Sequence, residues 1–227
     1  MTVSMYMLII GCFLAGTYVA SVATSTVAQL IPVERGATII IDAGHGGVDG
    51  GATSCTGVLE SKINLDICLK LEDMLHLLGY KTVMIRRTDI SVYTSGDTIA
   101  AKKVSDLRQR VKIVSDSEDP ILISIHQNTY PDGRYAGAQV FYANNQQSRE
   151  LAEIMQLNLA RSVNPGSNRS CKKAEGIYLM QHVDCPAILV ECGFLSNPEE
   201  EAKLRSDAYQ KKLCCVIGSA LGQFLTK

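Results

Sequence analysis

Net charge is nearly absent from this sequence. Its 227 residues include 22 basic and 23 acidic side chains, so the formal net charge at pH 7 is −1. A protein that binds nucleic acid presents a basic surface to the phosphates, and this balance gives no support for a nucleic-acid partner. The length suits one sizeable hydrophobic core and is short for two, so we expect a single domain.

Charged side chains are missing altogether before Glu34. Within that region, Met5 to Ala23 is an almost wholly apolar stretch of 19 residues, close to the roughly 20 that span a bilayer as a helix. A buried core helix would carry a polar face, which this stretch lacks, so the pattern predicts export or membrane anchoring. We expect residues 1–24 to be a signal peptide or a membrane anchor, 25–36 a spacer and 37–227 the folded domain. Cleavage or retention of the first segment stays open, because small residues suit cleavage but no Lys or Arg precedes the apolar run.

Cysteine spacings typical of redox or zinc-ribbon sites are also missing. The chain has eight cysteines but no C-x-x-C, and Cys12 falls in the apolar stretch. The seven that remain are an odd number and cannot all pair within one chain. We interpret them as small buried hydrophobic residues.

Motifs for phosphate binding and for serine catalysis are absent as well. The loop "GHGGVDGG" has Asp49 where a dinucleotide fingerprint needs glycine, and no Gly-Lys-Ser/Thr follows it. There is no G-x-S-x-G, and Cys192 should point to the face of its strand opposite Glu191. A nucleotide site and a Ser or Cys nucleophile are therefore unsupported.

Strand and helix patterns alternate along the rest of the chain. Apolar runs predict strands at "ATIIIDAG", "YKTVMIRRTD", "ILISIHQN", "GAQVFYA", "GIYLM" and "PAILVECGF". Three- and four-residue spacings predict helices over 60–78, 99–115, 146–163 and from Pro198 to about Phe224. This alternation indicates an α/β fold with a mostly parallel central sheet and helices on both faces.

Ligand-type side chains stand at the ends of three predicted strands. His45 follows the first, His126 ends "ILISIH" and Glu191 ends "PAILVE", while Glu60 begins the first helix from the same side of the sheet. Since sites in open α/β sheets gather beyond the carboxyl ends of strands, we expect these four groups to converge. Two imidazoles and one carboxylate with an open fourth position suit a catalytic zinc, and the remaining carboxylate could then act as a general base.

Each of these residues also has an ordinary interpretation. His45 alone would more often be a solvated imidazole, and Glu60 alone is a common first-turn helix acid. His126 and Glu191 are harder to dismiss, because each ends a buried apolar strand where a polar side chain is costly. We interpret the other histidines as structural or peripheral: His76 as a solvent-side or hydrogen-bonded helix residue, and His182 as a residue just before the last strand, with a place in the cleft wall as the less favoured alternative.

Four separated blocks resemble those of the zinc-dependent N-acetylmuramoyl-L-alanine amidases of bacterial cell walls. They are "IIIDAGHGGVDGGA", Glu60 at the head of a helix, "LISIHQN" and "PAILVECGFLSN", with "MIRRTD" and "DLRQRV" between them. The resemblance implies one zinc ion held by His45, Glu60 and His126, with Glu191 as the catalytic glutamate; it does not identify the substrate-binding residues. It also implies that peptidoglycan is the substrate and that residues 37–227 are a catalytic amidase domain that cleaves the bond between muramic acid and L-alanine.

The short architecture behind an apolar N-terminus is most similar to the spore-cortex amidases, whose reaction leads toward muramic δ-lactam. We therefore expect an exported or membrane-anchored enzyme facing the cell wall or spore cortex. The loop from Tyr130 to Tyr135 is too short for the autoinhibitory helix of some envelope-division amidases. Restricted metal loading, compartment or a regulatory protein partner would each restrain such an open site, and these alternatives stay open.

Two alternative functions remain. A zinc carboxypeptidase would need an arginine for the terminal carboxylate, and the sequence offers Arg86, Arg87 and Arg134. A non-catalytic wall-binding module would show the loss of one of the four site residues, and none is lost.

Overall fold

The computed structural model describes residues 35–226. The signal or anchor predicted for residues 1–24 and nearly all of the spacer 25–36 lie outside these residues. None of the helices within these residues has the length and apolar character needed to span a membrane.

The strands are β1 (Arg35–Ala43), β2 (Tyr80–Met84), β3 (Pro120–Asn128), β4 (Gln139–Tyr142), β5 (Lys172–Lys173) and β6 (Ala187–Phe194). The helices are α1 (Glu60–Leu77), α2 (Ile99–Ser115), α3 (Gln146–Ser162), α4 (Tyr178–Gln181), α5 (Pro198–Leu204) and α6 (Asp207–Leu225).

The strands form one sheet in the order β2-β1-β3-β6-β4-β5. The pairs β2/β1, β1/β3 and β3/β6 are parallel, and β4 runs antiparallel to β6. The predicted single α/β domain with a mostly parallel sheet is confirmed. From β1 the chain passes first to β2 on one side and later to β3 on the other, which makes the β1/β3 boundary a topological switch point. Ligands in open α/β sheets bind in the crevice beyond the carboxyl ends of such strands.

The sheet is covered on both faces, as predicted. Ile39 and Ile41 pack on one face with the apolar sides of α1, α3 and α6, whereas Ile40 packs on the other face with residues of α2 and α4. All three isoleucines are fully buried, and each buried side chain of this size contributes about 1.5–3 kcal/mol. A run without polar alternation is therefore what a strand needs when both of its faces are covered.

Side-chain oxygens cap most of the helices. Three helices begin after a side-chain oxygen that accepts a hydrogen bond from a backbone amide of the first turn. The pairs are Thr98 with Ala101 N at α2, Asn145 with Ser148 N at α3, and Ser206 with Tyr209 N at α6. Asn197 accepts from two backbone amides of α5, whose first residue is Pro198. These polar residues supply partners for amides that the first helical turn leaves unpaired. Helix α1 has no such side-chain cap; its first amides donate instead to carbonyl groups of the preceding loop.

Two element predictions differ from the structure. The run "GIYLM", predicted as a strand, overlaps the single-turn helix α4. The last helical region is divided at Arg205 and Ser206 into α5 and α6. The seven cysteines within residues 35–226 are unpaired, as expected, but the interpretation that they are buried is right for three and wrong for four. Cys68, Cys192 and Cys214 are buried, whereas Cys171 and Cys185 are partly exposed and Cys55 and Cys215 are exposed.

Candidate metal centre and active site

The loop after β1 turns His45 back over the ends of the strands. His45 has a positive φ of 61°, a conformation uncommon for a residue with a side chain. Two buried arginines secure the backbone here: Arg110 Nη2 donates to His45 O at 2.8 Å, and Arg86 donates to the carbonyls of Ala43 and Gly44. The strained turn persists because these contacts and the neighbouring bridge between Gly46 and Asp49 hold it.

The imidazole of His45 lies between two carboxylates. Its Nδ1 is 3.1 Å from Asp49 Oδ2, and its Nε2 is 3.3 Å from Glu60 Oε2. Asp49 is fixed in turn by Lys103, whose Nζ is 3.2 Å away, and by Gly51 N. Burial alone would lower the pKa of His45, but the two carboxylates outweigh it and raise that pKa above its ordinary value. The ring is thus oriented with Nε2 toward Glu60.

The carboxylate of Glu60 is positioned by the loop that precedes α1. Glu60 N donates to Ala52 O at 2.8 Å and Ser61 N to Gly50 O at 3.1 Å, so loop carbonyls satisfy the first turn in place of a capping side chain. The carboxylate itself accepts from Ala52 N, Gln127 N and the Asn64 amide. Burial alone would raise the pKa of Glu60, but His126 and His45 bring it far below the ordinary value.

His126 brings the third donor group from the end of β3. Its Nδ1 lies 3.0 Å from Glu60 Oε1, and its ring meets that of His45 edge-on with 4.9 Å between centroids. The other side of the ring rests on bare backbone: a Cβ added at Gly44 would lie 2.2 Å from His126 Nε2. Glycine is therefore required at position 44 for the imidazole to fit.

His45, Glu60 and His126 form a group able to hold a metal ion, because each offers a ligand atom within 4.8 Å of the others. Each imidazole contacts a different oxygen of Glu60, His45 Nε2 at 3.3 Å from Oε2 and His126 Nδ1 at 3.0 Å from Oε1. Ligand atoms about 2.0 Å from a tetrahedral zinc lie roughly 3.3 Å apart, so both imidazoles are at ligand distance from the carboxylate. Two imidazoles and one carboxylate are also the donor set of known catalytic zinc sites. The residues present therefore fit zinc.

Glu191 stands beside this group with one carboxylate oxygen unpaired. It is opposite His126 in the β3/β6 register, and its Oε2 is buried and unpaired among the described residues. Burial raises the pKa of Glu191 to about 7. Cys192, the next residue, is fully buried in the core on the other face, as predicted. The carboxyl group of Glu191 is thus available for a reacting molecule.

These groups open onto a cleft of about 400 Å³. Its walls include His45, His126 and Glu191 on one side, and Ile177 and Tyr178 from the segment around α4 on the other. His182 is not among the lining residues; its ring stacks on that of Tyr178 with 3.8 Å between centroids. This agrees with the structural or peripheral role expected for His182; its alternative place in the cleft wall is wrong. His76 is exposed, as expected, and hydrogen-bonds Thr82.

A buried ion pair supports the cleft from beneath. Arg110 contacts Asp42 and Asp106 through its guanidinium group, and Ser124 Oγ donates to Asp42 Oδ2 at 2.6 Å. Burial alone would raise the pKa of Asp42, but Arg110 and Ser124 hold it below the ordinary value. The "DLRQRV" and "MIRRTD" blocks thus supply arginines that stabilise the site rather than reach into it as free charges.

The three residues predicted at strand ends and Glu60 at the start of α1 do converge, and several supporting residues were missed. The most important of these is Asp49, which was considered only as a break in a glycine pattern. Asn64 and Gln127 were also missed; they hydrogen-bond each other and contact Glu60. The sequence signal for Asp49 is its place four residues after His45 in a glycine-rich loop, where a turn can bring the two side chains together.

An open α/β sheet with such side chains at its switch point has the architecture of an enzyme, and paired imidazoles and carboxylates are typical of metal-dependent hydrolases. The chain belongs to the Amidase_3 family of N-acetylmuramoyl-L-alanine amidases, whose model matches residues 39–223. Its activity is the hydrolysis of the amide between N-acetylmuramic acid and L-alanine in peptidoglycan.

Relatives of known identity agree with this family. The germination-specific N-acetylmuramoyl-L-alanine amidase of Bacillus subtilis is 37% identical over 194 residues, which cover 85% of this chain and 81% of that protein. The amidase LytC of the same organism is 31% identical over 87% of this chain, but only 37% of LytC is covered. Among solved structures, the CwlD amidase of Clostridioides difficile in complex with the GerS lipoprotein matches with a TM-score of 0.80 at 37% identity, over 83% of this chain and 98% of that chain.

Proposed function

We propose that His45, Glu60 and His126 bind one catalytic zinc ion and that Glu191 is the general base of the amidase. The observation that carries this proposal is the meeting of three donor groups within 4.8 Å beside a carboxylate whose buried Oε2 has no partner among the described residues. Zinc in such a site would supply a Lewis acid that polarises the carbonyl group and the attacking water. In this proposal Asp49 keeps His45 oriented, because a carboxylate on the second ring nitrogen fixes the tautomer.

Glu191 moves the proton during the reaction. The attacking water adds to the carbonyl carbon of the lactyl group while Glu191 accepts a proton from it. Glu191 then passes this proton to the L-alanine nitrogen as the carbon–nitrogen bond breaks. The products are a free lactyl carboxyl group on muramic acid and a stem peptide with a free amino terminus.

We infer that spore-cortex peptidoglycan is the biological substrate and that hydrolysis is a step toward muramic δ-lactam. The relative that supports this inference is germination-specific and 37% identical. We further propose that residues 1–24 export the enzyme or anchor it in the membrane, that 25–36 form a spacer, and that 37–227 form the catalytic domain. A regulatory protein partner is part of the proposal, since the similar CwlD structure was solved with a lipoprotein.

The carboxypeptidase alternative lacks an arginine in the cleft that is free to bind a terminal carboxylate. Arg86 is buried against backbone carbonyls, Arg87 pairs with Glu72, and Arg134 pairs with Asp132. None of these three lines the cleft, and Arg110, which does, is already engaged by Asp42 and Asp106. Mass spectrometry of digested wall separates the two activities, because an amidase releases stems that begin with free L-alanine.

The decisive experiment compares Glu191→Gln with His126→Ala. Glutamine nearly keeps the shape of Glu191 but cannot accept the proton, so activity should fall about 10²- to 10⁴-fold while zinc is retained. His126→Ala removes a ligand, so zinc and activity should be lost together. Zinc content and muropeptide hydrolysis are measured on the same samples.

Glu72→Gln is the matched control for the loss of a buried carboxylate outside the site. Glu72 pairs with the largely exposed Arg87, so its replacement should leave the turnover number and zinc content at the wild-type level. Full activity of Glu191→Gln rejects Glu191 as the base, whereas loss of zinc from that variant makes Glu191 a ligand. Undiminished zinc in His126→Ala removes His126 from the ligand set.

A further inference from the structure

Within the part of the chain that the structure describes, exposed aromatic side chains are few and occur together. The chain has nine tyrosines, four phenylalanines and no tryptophan. Among the described residues, the exposed aromatic side chains are Tyr130 and Tyr135, with 51% and 46% of their surface accessible. Their ring centroids are 4.6 Å apart in an edge-on arrangement. We call this pair the aromatic rim; contiguous exposed apolar surface of this kind often marks a binding site.

The aromatic rim is held in place by the structure behind it. Tyr135 lies over the buried Phe194, with 6.2 Å between centroids, and Arg169 covers Phe194 at 5.2 Å. Tyr130 N donates to Ser196 Oγ at 3.1 Å, and the Asn197 amide donates to Tyr135 O. The rings are therefore preorganised, which lowers the entropy lost when they bind a ligand.

The aromatic rim continues from the strands that carry the reactive groups. Tyr130 is four residues after His126, and Phe194 is three residues after Glu191. Since an extended chain spans at most about 3.6 Å per residue, these Cα–Cα distances cannot exceed roughly 14 Å and 11 Å. The backbone positions that carry Tyr130 and that support Tyr135 through Phe194 are therefore close to the strand ends that line the cleft.

The chemistry of the rim suits an uncharged ligand with apolar faces. The charged groups of the intervening loop neutralise each other, because Arg134 and Asp132 form a close pair at 2.6 Å. A pyranose ring offers one face of C–H groups to an aromatic ring and hydroxyl groups at its edge, and tyrosine combines an apolar ring with a polar tip. A protein partner would need a larger surface than two side chains, because stable interfaces bury at least about 1,000 Å².

We propose that the aromatic rim is a glycan subsite, in which Tyr130 and Tyr135 stack against an N-acetylated sugar ring next to the muramic acid whose amide is cut. This subsite extends the amidase activity but does not depend on the proposed zinc chemistry. It orients the neutral glycan strand beside Glu191 and leaves the cleft near Tyr178 for other parts of the substrate.

The test uses the full chain and the double variant Tyr130→Ala/Tyr135→Ala. Binding is measured by sedimentation with glycan strands stripped of their stem peptides, and hydrolysis is measured on polymeric peptidoglycan and on a single-sugar muramyl peptide. Because two stacking contacts are lost, each worth about 0.5–1.5 kcal/mol, we expect glycan binding to weaken about five- to 150-fold. The KM for polymer should rise with little change in kcat, while hydrolysis of the single-sugar substrate and zinc content stay at the wild-type level.

Two further variants separate stacking from general effects. Tyr130→Phe/Tyr135→Phe keeps both rings and should retain most of the binding, whereas Leu77→Ala/Leu157→Ala removes two exposed apolar side chains elsewhere and should have no effect. The single variant Tyr130→Ala replaces the double variant if thermal unfolding shows that the latter is misfolded. Unchanged glycan binding in the alanine variant overturns the proposal and leaves the rim to another partner, as does an equal loss of kcat on both substrates. Glycan binding is measured without turnover, so the binding result can be interpreted even if the zinc proposal fails.

Discussion

At the scale of single residues, Asp49 provides a test of how the proposed zinc site is tuned. In Asp49→Asn the side chain keeps its shape but loses the charge that stabilises the Nδ1–H of His45, 3.1 Å away. Loss of such an outer partner typically costs about ten- to a hundred-fold in metal affinity. We therefore expect the zinc dissociation constant, measured by competition with a chelator, to rise by that factor. The zinc-saturated variant should recover much of its activity.

Lys103→Ala is the comparison for Asp49→Asn. Lys103 is largely exposed, and its 3.2 Å contact with Asp49 is a partly solvated ion pair worth about 1 kcal/mol at most. Its removal should weaken zinc binding no more than about five-fold. Wild-type affinity in Asp49→Asn would show that Asp49 does not position the ligand.

The residues of the site divide into those that sequence alone predicts and those that need the fold. His45, His126 and Glu191 were predictable because parallel strands end at one edge of a sheet, and a polar residue at the end of a buried strand calls for an explanation. Asp49 was not, because its role depends on a loop conformation in which His45 has a positive φ. Asn64 was not either, because a polar residue on a helix usually faces water, whereas here it donates to Gly44 O.

At the scale of elements, the loop between β1 and α1 is the most sensitive connection. Gly51 has a φ of 67°, and a Cβ there would lie 2.6 Å from Glu60 Oε2 and 2.7 Å from His45 Cδ2. Gly51→Ala should therefore displace two of the proposed ligands and reduce zinc content and activity together. Gly57→Ala is the matched control: Gly57 also has a positive φ, 88°, but a Cβ there meets nothing within 4 Å.

Both glycine variants bear the strain of an alanine in a left-handed conformation, about 1–2 kcal/mol. Gly51→Ala adds the clash with Glu60 and His45, so it should lose at least as much stability as Gly57→Ala in thermal or urea unfolding. Only Gly51→Ala should lose zinc. Equal zinc contents in the two variants would mean that the loop can shift away from Glu60 without disturbing the site.

Most strands and helices were predictable from the sequence, because the residue pattern that favours each element locally is also the pattern that its packing in the fold requires. The helix predicted over 99–115 agrees with α2, where Thr98 supplies the capping oxygen. The run "GIYLM" misled because five apolar residues fit a buried strand or one helical turn equally well. Packing decides between the two conformations: in the helical turn, Leu179 and Met180 are buried with Ile40 and Leu122 of the sheet. The antiparallel direction of β4 could not be predicted from the sequence either, because tertiary pairing sets the direction of a strand.

At the scale of the whole molecule, the two cores explain why one sheet can support the site rigidly. Alternate residues of β1, β3 and β6 point to opposite faces, so Ile40, Leu122 and Leu189 share a face with Asp42, His126 and Glu191. The apolar residues are enclosed by α2 and α4, and Asp42 is buried against Arg110 of α2. His126 and Glu191 lie further along their strands, where they line the cleft. The same strands thus build the core and present the reactive groups.

The final prediction concerns how much of the chain this architecture requires. The buried core of the described residues begins at Ala37, β1 begins at Arg35, and the family model matches from residue 39. A chain lacking residues 1–24 should therefore be soluble, unfold cooperatively and hydrolyse muropeptides at the rate of the full chain.

The control lacks residues 1–43 and with them β1, which lies between β2 and β3. Losing Ile39, Ile40 and Ile41 at about 2–5 kcal/mol each removes as much free energy as a typical domain has. The control should be unfolded by circular dichroism, and if the shorter deletion unfolds as well, residues 1–24 belong to the core and the export or anchoring proposal is wrong.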